Sequence, residues 1–430
     1  MPSVAEPQAL PELPPPTSPE LPKIPVEQFA NWDPSADQTL AHDGALAWWR
    51  DPGRKPLLTI GGFAGTGKTS LVGRLAGELT AIDKPPVIAF ATLTGKASKV
   101  LSRSLAKAGF PNANVSTIHK LIYEPIVNKT TGAVMGWRRR VSLGLDLIVV
   151  DEASMVSSTI LQDLMSYGVP ILAVGDHGQL PPVGEDAGVM KRPDFRLEKI
   201  HRQAEGNPII ELSARVRGSE KLSAILADLA SEDDDAVIQH YHGRGAMSLA
   251  IDFGGPPDGM LITFTNNMRI GMNNGARKSL GRKGTDPVVG DTVICVRNAR
   301  MPSGDFIANG SRGVITALTS RGEDTYDASV IMDDADFEIP IIMSAHQFGV
   351  PTTFKTFTEV PGRHFSWESV GVLMDYGFSL TCHKSQGSQA PQVAVLMENA
   401  LGRLTEDERR RWAYTAITRA TDRVMIVTGV

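Results

Sequence analysis

Three features are scarce in this sequence: cysteine, long apolar runs, and an excess of charge of one sign. Only two cysteines, Cys295 and Cys382, occur in 430 residues, which excludes a disulfide framework and a cysteine-rich zinc module. We expect both to be thiols in the core. No apolar run reaches about 18 residues, and the N-terminus lacks the layout of a signal peptide, so we expect a cytoplasmic protein with no membrane partner.

The charge balance limits how the chain can meet nucleic acid. The 43 basic side chains face 48 acidic ones, which gives a formal net charge of −5. This excludes a polybasic protein that coats nucleic acid by bulk charge, but a local basic groove stays open, because binding depends on where charges lie. Apolar residues at 42% and charged residues at 21% are typical of a folded, soluble globular chain.

The length suggests about three domains, and the chain is not uniform. Nine of the first 25 residues are proline, which removes amide donors and the apolar periodicity of a packed element. We interpret residues 1–25 as a disordered proline-rich tail. A proline-rich ligand for a partner protein is the less favoured alternative.

After the tail, short apolar runs alternate with helical stretches, which predicts parallel sheets covered by helices. The strand-like runs of a first block are residues 57–60, 87–91, 145–150 and 171–175, and a second block opens at 260–265 and closes at 424–428. Between these last two runs, residues 286–370 change to short β-rich segments with turns. The predicted fold is therefore α/β, with two parallel-sheet blocks and a small all-β insertion.

Residues 62–69 read Gly-Phe-Ala-Gly-Thr-Gly-Lys-Thr and match the phosphate-loop pattern G-x-x-x-x-G-K-[ST] between a strand and a helix. Its glycines allow backbone amides to converge on phosphate oxygens, and the helix N-terminus adds its positive end. Lys68 is predicted to reach the β- and γ-phosphates and Thr69 to hold Mg²⁺. A glycine-rich turn without a ligand is the weaker alternative. The nucleotide-binding residues predicted here are Gly65, Thr66, Gly67, Lys68 and Thr69.

The apolar run at residues 147–150 ends in Asp151 and Glu152, which places two carboxylates at the ligand-binding edge of a parallel sheet. Asp151 is predicted to complete the Mg²⁺ shell and Glu152 to polarise the attacking water. Gln179 follows the next strand-like run and is placed to sense a γ-phosphate. Arg419 lies in a stretch predicted as helical, from which a second domain can neutralise transition-state charge. Together these residues predict a P-loop NTPase.

The order of the motifs resembles superfamily-1 helicases, specifically the RecD-like and Dda-like branch, 1B. The resemblance covers about residues 38–430 and rests on residue 38 and on residues 62–69, 91–97, 116–120, 151–154, 175–179, 201–203, 261–266, 380–388 and 414–420. It implies two tandem RecA-like domains with ATP between them, a β-hairpin pin and a small barrel-like insertion. The implied division is 26–190 for the first domain with the pin at 120–143, 191–285 and 371–430 for the second, and 286–370 for the insertion.

The resemblance also implies roles for matching residues. Those implied at the nucleotide are Gln38 at the adenine, Arg202 and Arg419 as arginine fingers, and Gln386 with Gly387. Those implied at DNA are Thr94, Lys96, His119, Thr265, Asn266, His383 and Ser385, with Trp137 in the pin. Small hydroxyls and amides suit a motor that grips phosphates without reading bases. Alternatively, the two histidines are structural and the pin is a plain exposed hairpin. The sequence also departs from many family members, because Leu93 precedes Thr94 where they have a proline-threonine pair.

The sequence thus predicts an ATP- and Mg²⁺-dependent DNA helicase that translocates on single-stranded DNA and unwinds forked or tailed duplex. The 5′ to 3′ direction is carried over from the resemblance. One alternative is an RNA-directed helicase on the same core, because only 2′-hydroxyl contacts separate RNA from DNA. The other is a helicase subunit of a larger recombination or exonuclease complex. Replication or recombination proteins are the expected partners, a monomer is compatible with the sequence, and a phage-encoded chain would act in its host's cytoplasm.

Overall fold

The computed structural model describes residues 33–127, 134–182, 185–200, 206–218, 220–229, 236–255, 259–297, 299–300, 306–307, 309–322, 324–333, 337–351 and 371–430. The predicted proline-rich tail, the turn of the predicted pin at residues 128–132 and Arg202 lie outside the described residues. Among the helices in those described ranges, none is long and apolar enough to cross a membrane.

The first α/β domain is built on a parallel sheet. Its elements are α1 (Ala36–Arg50), β1 (Leu57–Gly62), α2 (Lys68–Thr80), β2 (Ile88–Thr92), α3 (Gly95–Lys107), β3 (Asn114–Thr117), α4 (Ile118–Ile122), β4 (Tyr123–Val127), β5 (Val134–Arg139), β6 (Leu147–Val150), α5 (Ser158–Met165), β7 (Ile171–Gly175) and β8 (Phe195–Leu197). The six-stranded sheet has the order β3-β2-β6-β7-β1-β8, and β4 with β5 form a separate hairpin. Strands β2, β6 and β7 are buried throughout, as helices on both faces require.

A second α/β domain is interrupted by the β-rich insertion. The elements are α6 (Pro208–Arg217), α7 (Leu222–Asp228), β9 (Ile238–His242), α8 (Ala246–Gly254), β10 (Gly259–Thr263), α9 (Asn266–Ser279), β11 (Thr292–Cys295), β12 (Ala299–Arg300), β13 (Phe306–Ile307), β14 (Arg312–Ser320), β15 (Thr325–Met332), β16 (Glu338–Ser344), β17 (Met374–Tyr376), β18 (Ser379–Thr381), α10 (Cys382–Ser385), β19 (Ala390–Met397), α11 (Glu406–Ile417) and β20 (Ala420–Thr428).

The two parallel sheets share one topology. The second sheet has the order β18-β10-β19-β20-β9, with all its pairings parallel. When the strands of each sheet are ranked by their position in the chain, the ranks follow one another in the same order across this sheet and across the β3-β2-β6-β7-β1 part of the first sheet. The prediction of two tandem RecA-like parallel-sheet domains is therefore confirmed, and each loop at one sheet edge has a counterpart in the other domain.

Three predicted boundaries lie elsewhere in the structure. Phe195–Leu197 pairs in parallel with β1, so the first sheet extends past residue 190. Met374–Tyr376 pairs with β11 in the antiparallel sheet β16-β15-β14-β11-β17, so the insertion extends past residue 370. Helix α11 ends at Ile417, which leaves Arg419 between helix and strand. Segments of three residues carry too little periodicity for a sequence pattern to assign them.

Buried ion pairs join the insertion to the second domain. Arg269 in α9 donates to Asp375 in β17 at 2.7 Å, and both side chains are 2% exposed. Arg277, also in α9, lies 3.2 Å from the fully buried Asp291, with which Arg282 also pairs. Because removing one member of a buried pair leaves an uncompensated charge in the interior, these contacts couple the stability of the insertion to that of the second domain.

The hairpin of β4 and β5 is held at its base by tyrosines. The Tyr167 hydroxyl lies 2.7 Å from the carbonyl oxygen of Ile122 and 3.1 Å from that of Arg140, one on each side of the hairpin. Tyr123 donates its hydroxyl hydrogen to Asp163 of α5. The backbone of Trp137 pairs with Pro125, while its side chain lies outside the described part of the chain. Both ends of the hairpin are thus fixed to the first domain.

Candidate functional site

The phosphate loop connects β1 to α2, as the sequence predicts. Gly65 and Gly67 have φ angles of 79° and 73°, in the left-handed region that favours glycine. The Lys68 ammonium donates to the carbonyl oxygens of Gly62 and Phe63, each at 2.8 Å. The loop is therefore folded around its lysine directly before a helix N-terminus, which is the arrangement that binds phosphate.

Gln38 of α1 supports this loop from its other side. Its side-chain Nε2 donates to the Thr66 carbonyl oxygen at 3.0 Å, and its Oε1 accepts from the Ser35 backbone N–H at 3.0 Å. Thr66 is buried, and its hydroxyl donates to the Phe63 carbonyl oxygen at 2.8 Å. Thr69 is exposed in the first turn of α2. The structure thus brings Gln38 to the phosphate loop, and its predicted contact with adenine stays a prediction.

Asp151 and Glu152 follow β6 beside the loop. Burial, and after it the neighbouring Glu152 carboxylate, raise the pKa of Asp151 to about 6, while Lys68 acts in the opposite direction. Glu152 has φ 54°, a strained value for a residue with a side chain, and its buried Oε2 has no hydrogen-bond partner. Two crowded carboxylates, one with an unsatisfied oxygen, are suited to a divalent cation, since Mg²⁺ prefers oxygen ligands.

The loop after β7 carries Gln179, and several polar atoms around it are unsatisfied. Gln179 donates through Nε2 to Asp176 at 3.3 Å, whereas its Oε1 is buried without a partner. Ser154 Oγ, His177 Nδ1 and Trp412 Nε1 are also buried without partners, and all four residues line one cavity between the domains. These atoms can form new hydrogen bonds when this cavity fills or closes.

The second domain touches the first through this loop and through α3. Leu180 donates its backbone N–H to the Thr415 hydroxyl at 2.9 Å, and its carbonyl oxygen accepts from Gln386 Nε2 at 3.0 Å. A Cβ at Gly387, where φ is 73°, would lie 3.2 Å from Thr94 Oγ1. Gln386 and Gly387, two of the predicted nucleotide residues of the second domain, are therefore packed against the first domain.

The predicted arginine fingers are only partly placed by the structure. Arg419 is 4% exposed and donates within its own domain, to the carbonyl oxygens of Thr415 and Ser388 and to the Thr418 hydroxyl, at 3.0 to 3.3 Å. Arg202 lies outside the described residues. Arg217 of α6, which the sequence did not indicate, places its guanidinium 3.6 Å from the ring centre of Phe63 in the phosphate loop.

Two of the predicted DNA-contacting residues occupy equivalent positions in the two domains. Thr94 is the N-cap of α3 and Thr265 the N-cap of α9, where each hydroxyl accepts a backbone N–H of the first helical turn. Two residues earlier, Thr92 and Thr263 donate to the carbonyl oxygens of Thr94 and Thr265, at 2.8 and 3.4 Å. Each domain thus ends one strand in the same capped turn, and the N-terminus of the following helix can attract a phosphate.

A residue missed by sequence reasoning fixes the second of these turns. Glu398, 6% exposed, accepts the backbone N–H groups of Phe264 at 2.6 Å and Thr265 at 2.9 Å, and the Thr265 hydroxyl at 2.7 Å. Asn266, next in the chain, is exposed. Thr265 is therefore an anchored cap, and Asn266 is the neighbouring side chain that remains accessible. Glu398 follows β19 as Asp151 follows β6, which is the signal that could have found it.

The other predicted strand contacts have mixed settings. Lys96 pairs with Asp333 of the insertion at 3.5 Å. His119 and His383 are partly buried, and burial lowers the pKa of each. Ser385 is fully buried and donates to the Cys382 carbonyl oxygen at 2.8 Å. The hydroxyl of Ser385 thus has a structural partner, whereas Lys96 joins two domains at the N-terminus of α3.

Comparisons with known proteins agree with this geometry. The family described as "AAA domain" matches residues 53–249, and that described as "UvrD-like helicase C-terminal domain" matches residues 376–427. The RecBCD enzyme subunit RecD of Mycolicibacterium smegmatis is 26% identical over 416 residues, which cover 86% of this chain and 68% of the relative. RecD of Mycobacterium tuberculosis is 26% identical over 406 residues, covering 85% and 65%. The chain thus spans about two thirds of the length of these relatives.

Solved structures share the fold at low sequence identity. A Pif1 helicase from Bacteroides in complex with ADP-AlF3 and ssDNA has a TM-score of 0.53 at 18% identity, with 93% of each chain covered. A structure of two coordinating Pif1 helicases at forked dsDNA has a TM-score of 0.51 at 19% identity, with 93% of this chain and 92% of the other covered.

Two RecA-like sheets of one topology, a phosphate loop and an acidic pair at their junction define an ATP-dependent DNA helicase. More particularly, its sequence is similar to RecD subunits over most of its length, and its fold is that of Pif1 helicases.

Proposed function

We propose that the chain is a motor that moves 5′ to 3′ along single-stranded DNA and separates forked or tailed duplex, driven by ATP hydrolysed between its two RecA-like domains. The observation that carries this proposal is the pair of equivalent strand-to-helix turns, capped by Thr94 and Thr265, one in each domain. Two equivalent grips on a backbone, separated by a nucleotide cleft, are what a stepping motor needs.

Nucleotide chemistry is assigned to the residues at the cleft. Lys68 leaves the carbonyl oxygens that now hold it and pairs with the β- and γ-phosphates. Glu152 orients the attacking water, and Gln179 contacts the γ-phosphate from the loop after β7. Asp151 and Thr69 are the residues that would hold Mg²⁺, which when bound neutralises phosphate charge. Arg419 and Arg202 are assigned to transition-state charge.

Strand movement follows from a change in the distance between the two grips. Gly387 lies so close to Thr94 that an added Cβ would be 3.2 Å from the Thr94 hydroxyl oxygen, which supports a position of the second domain against the N-terminus of α3. Closure of the cleft around nucleotide shifts α9 relative to α3, so the amides at the two helix N-termini release and rebind successive phosphates. Weak contacts of this kind suit translocation, because each must be broken at every step.

A second candidate function is that of a helicase subunit within a larger enzyme. The mycobacterial relatives described above carry the name of a RecBCD subunit, and the chain covers only part of their length. The two roles separate in an unwinding assay of the purified chain, because a dependent subunit gives no unwinding alone.

The substrate class is tested by ATPase stimulation. We expect poly-dT to stimulate ATP turnover by the purified chain more strongly than poly-U at equal nucleotide concentration. Stronger stimulation by poly-U would contradict the DNA assignment and favour an RNA-directed motor.

A further inference from the structure

Tyr414 of α11 lies where the two domains meet at the phosphate loop. It is fully buried, and its hydroxyl accepts the backbone N–H of Ala64 at 2.8 Å while donating to Asp176 Oδ2 at 2.6 Å. Ala64 belongs to the phosphate loop, and Asp176 begins the loop that carries Gln179. A single hydroxyl from the second domain therefore joins both nucleotide-binding loops of the first.

We propose that Tyr414 is a positioning residue that couples occupation of the phosphate loop to the orientation of Gln179 and to domain closure. The proposal rests on the proposed function, because it assumes that the loop binds nucleotide. Without nucleotide, the Tyr414 hydroxyl holds an amide of the loop whose N–H groups receive phosphate. A phosphate oxygen that takes the Ala64 N–H displaces the hydroxyl from it, and Tyr414 then keeps only Asp176.

The Tyr414 ring is confined, so its hydroxyl cannot swing away freely. The ring meets Phe63 edge-on at a centroid distance of 6.2 Å. At Gly178, an added Cβ would lie 2.9 Å from the Phe63 ring and 3.1 Å from the Tyr414 ring. The Arg217 guanidinium lies 5.3 Å from the Tyr414 ring centre. Loss of the bond to Ala64 is therefore transmitted as a movement of α11 or of the loop.

The direction of the hydrogen bonds is fixed by the protonation state of the phenol. Burial, and after it the Asp176 carboxylate, raise the pKa of Tyr414 well above its ordinary value. The phenol therefore remains protonated near neutral pH, donating to the carboxylate and accepting from the amide. The short donor distance to Asp176 agrees with a charge-assisted bond.

Asp176 passes the effect on to Gln179. Its Oδ2 accepts from both Tyr414 and Gln179 Nε2, the latter at 3.3 Å, and its Oδ1 accepts the Gly178 N–H at 2.9 Å. A change at Tyr414 thus alters the acceptor that holds Gln179. This links the second domain to the residue assigned to the γ-phosphate.

The test is Tyr414→Phe, which keeps the ring and removes the hydroxyl. We expect the affinity for a fluorescent ADP analogue, measured without DNA, to tighten about three- to ten-fold, since one competing hydrogen bond is gone. We expect kcat for ATP with single-stranded DNA to fall at least about five-fold, because Asp176 loses a donor that fixes it near Gln179. A residue that served only packing would not tighten nucleotide binding.

Thr415→Val is the matched control. It removes the hydroxyl that accepts from Leu180, which breaks one contact between the domains without touching the phosphate loop, so ADP-analogue affinity should stay within about two-fold. Nucleotide binding that is unchanged or weaker in Tyr414→Phe overturns the proposal, and so does an unchanged kcat. A wild-type chain that fails to bind the analogue would instead contradict the proposed function itself.

Discussion

The side chains assigned to nucleotide chemistry differ in their hydrogen-bond partners, and these partners determine which groups are available to a ligand. The Lys68 ammonium donates hydrogen bonds to two carbonyl oxygens of its own loop. Glu152 has a buried oxygen without a hydrogen-bond partner, and the Arg419 guanidinium donates within its own domain. The residues that the motifs predict thus have polar groups that are either unpaired, as in Glu152, or bonded to uncharged groups, as in Lys68 and Arg419. These groups can be redirected to a bound nucleotide.

At Arg419 we predict a loss of turnover. Arg419→Ala should lower kcat about 10³-fold, because an arginine that meets the transferred phosphoryl group stabilises charge only in the transition state. Steady-state ATPase with single-stranded DNA measures this, and Arg419→Lys, which keeps the charge, is the control. A near-normal kcat for the alanine variant would show that Arg419 has only its structural role.

Glu398 offers a second test at the same scale. Its carboxylate holds Thr265 and Phe264 through charge-assisted hydrogen bonds, each worth about 1.5 to 3 kcal/mol. Glu398→Ala should therefore weaken binding of single-stranded DNA by about ten-fold or more while leaving DNA-free ATPase unchanged. Fluorescence anisotropy with a labelled oligonucleotide measures the affinity, and Glu398→Gln, which keeps one acceptor oxygen, should be intermediate. Unchanged DNA affinity in the alanine variant would contradict the anchoring role.

Functional residues could be predicted from the sequence where a residue type belongs to a local motif. Lys68, Asp151 and Gln179 follow strand-like runs and could be selected with no structure. The role of Tyr414 could not, because it acts through Ala64 of the other domain, more than 100 residues away. That role depends on the packing of one domain on another, which no local spacing encodes. Glu398 was signalled only by its place directly after a buried strand, and its partner Thr265 lies more than 100 residues away in the same domain.

Among the elements, the hairpin of β4 and β5 is the one for which we predict a separate function. Its base is fixed by Tyr167 and Tyr123, so a force on its tip is passed to the first domain. We predict that deleting residues 128–132 impairs duplex unwinding but spares DNA-stimulated ATPase, since neither cleft nor grip is touched. Comparing the two rates tests this, and parallel loss of both would indicate misfolding instead of a strand-separating pin.

The periodicity of the sequence located the long, buried strands well. The predicted run at residues 171–175 coincides with β7, and the run at 145–150 contains β6, which begins two residues later, because a central parallel strand must be apolar on both faces. Strands β8 and β17 were not predicted from the sequence. The predicted domain boundaries at residues 190 and 370 therefore differ from those in the structure. Such short strands are defined by their pairing partners, and pairing is a property of the folded chain.

For the molecule as a whole, the insertion is coupled to the second domain through buried charge. We predict that Arg269→Met destabilises the protein by about 3 to 5 kcal/mol, because it leaves the Asp375 carboxylate buried without its partner. The double variant with Asp375→Asn should recover part of this loss. Chemical denaturation measures both, and equal stability of the single and double variants would contradict a coupled pair.

The two thiols report where that destabilisation acts. Cys295 lies in the core of the insertion and Cys382 in the core of the second domain, and burial raises the pKa of each to about 12. Both should be almost unreactive in the native protein. In Arg269→Met, labelling of Cys295 should accelerate more than labelling of Cys382, because β17 pairs directly with β11.

We propose that ATP turnover between the two RecA-like domains drives movement along DNA. The most direct measurement is single-turnover unwinding by the purified chain of one duplex bearing either a 5′ or a 3′ single-stranded tail, with Lys68→Ala as the inactive control. We expect ATP-dependent unwinding of the 5′-tailed duplex by the wild-type chain without other proteins, and none by the variant. Unwinding only from the 3′ tail, or equal strand separation by Lys68→Ala, would contradict it.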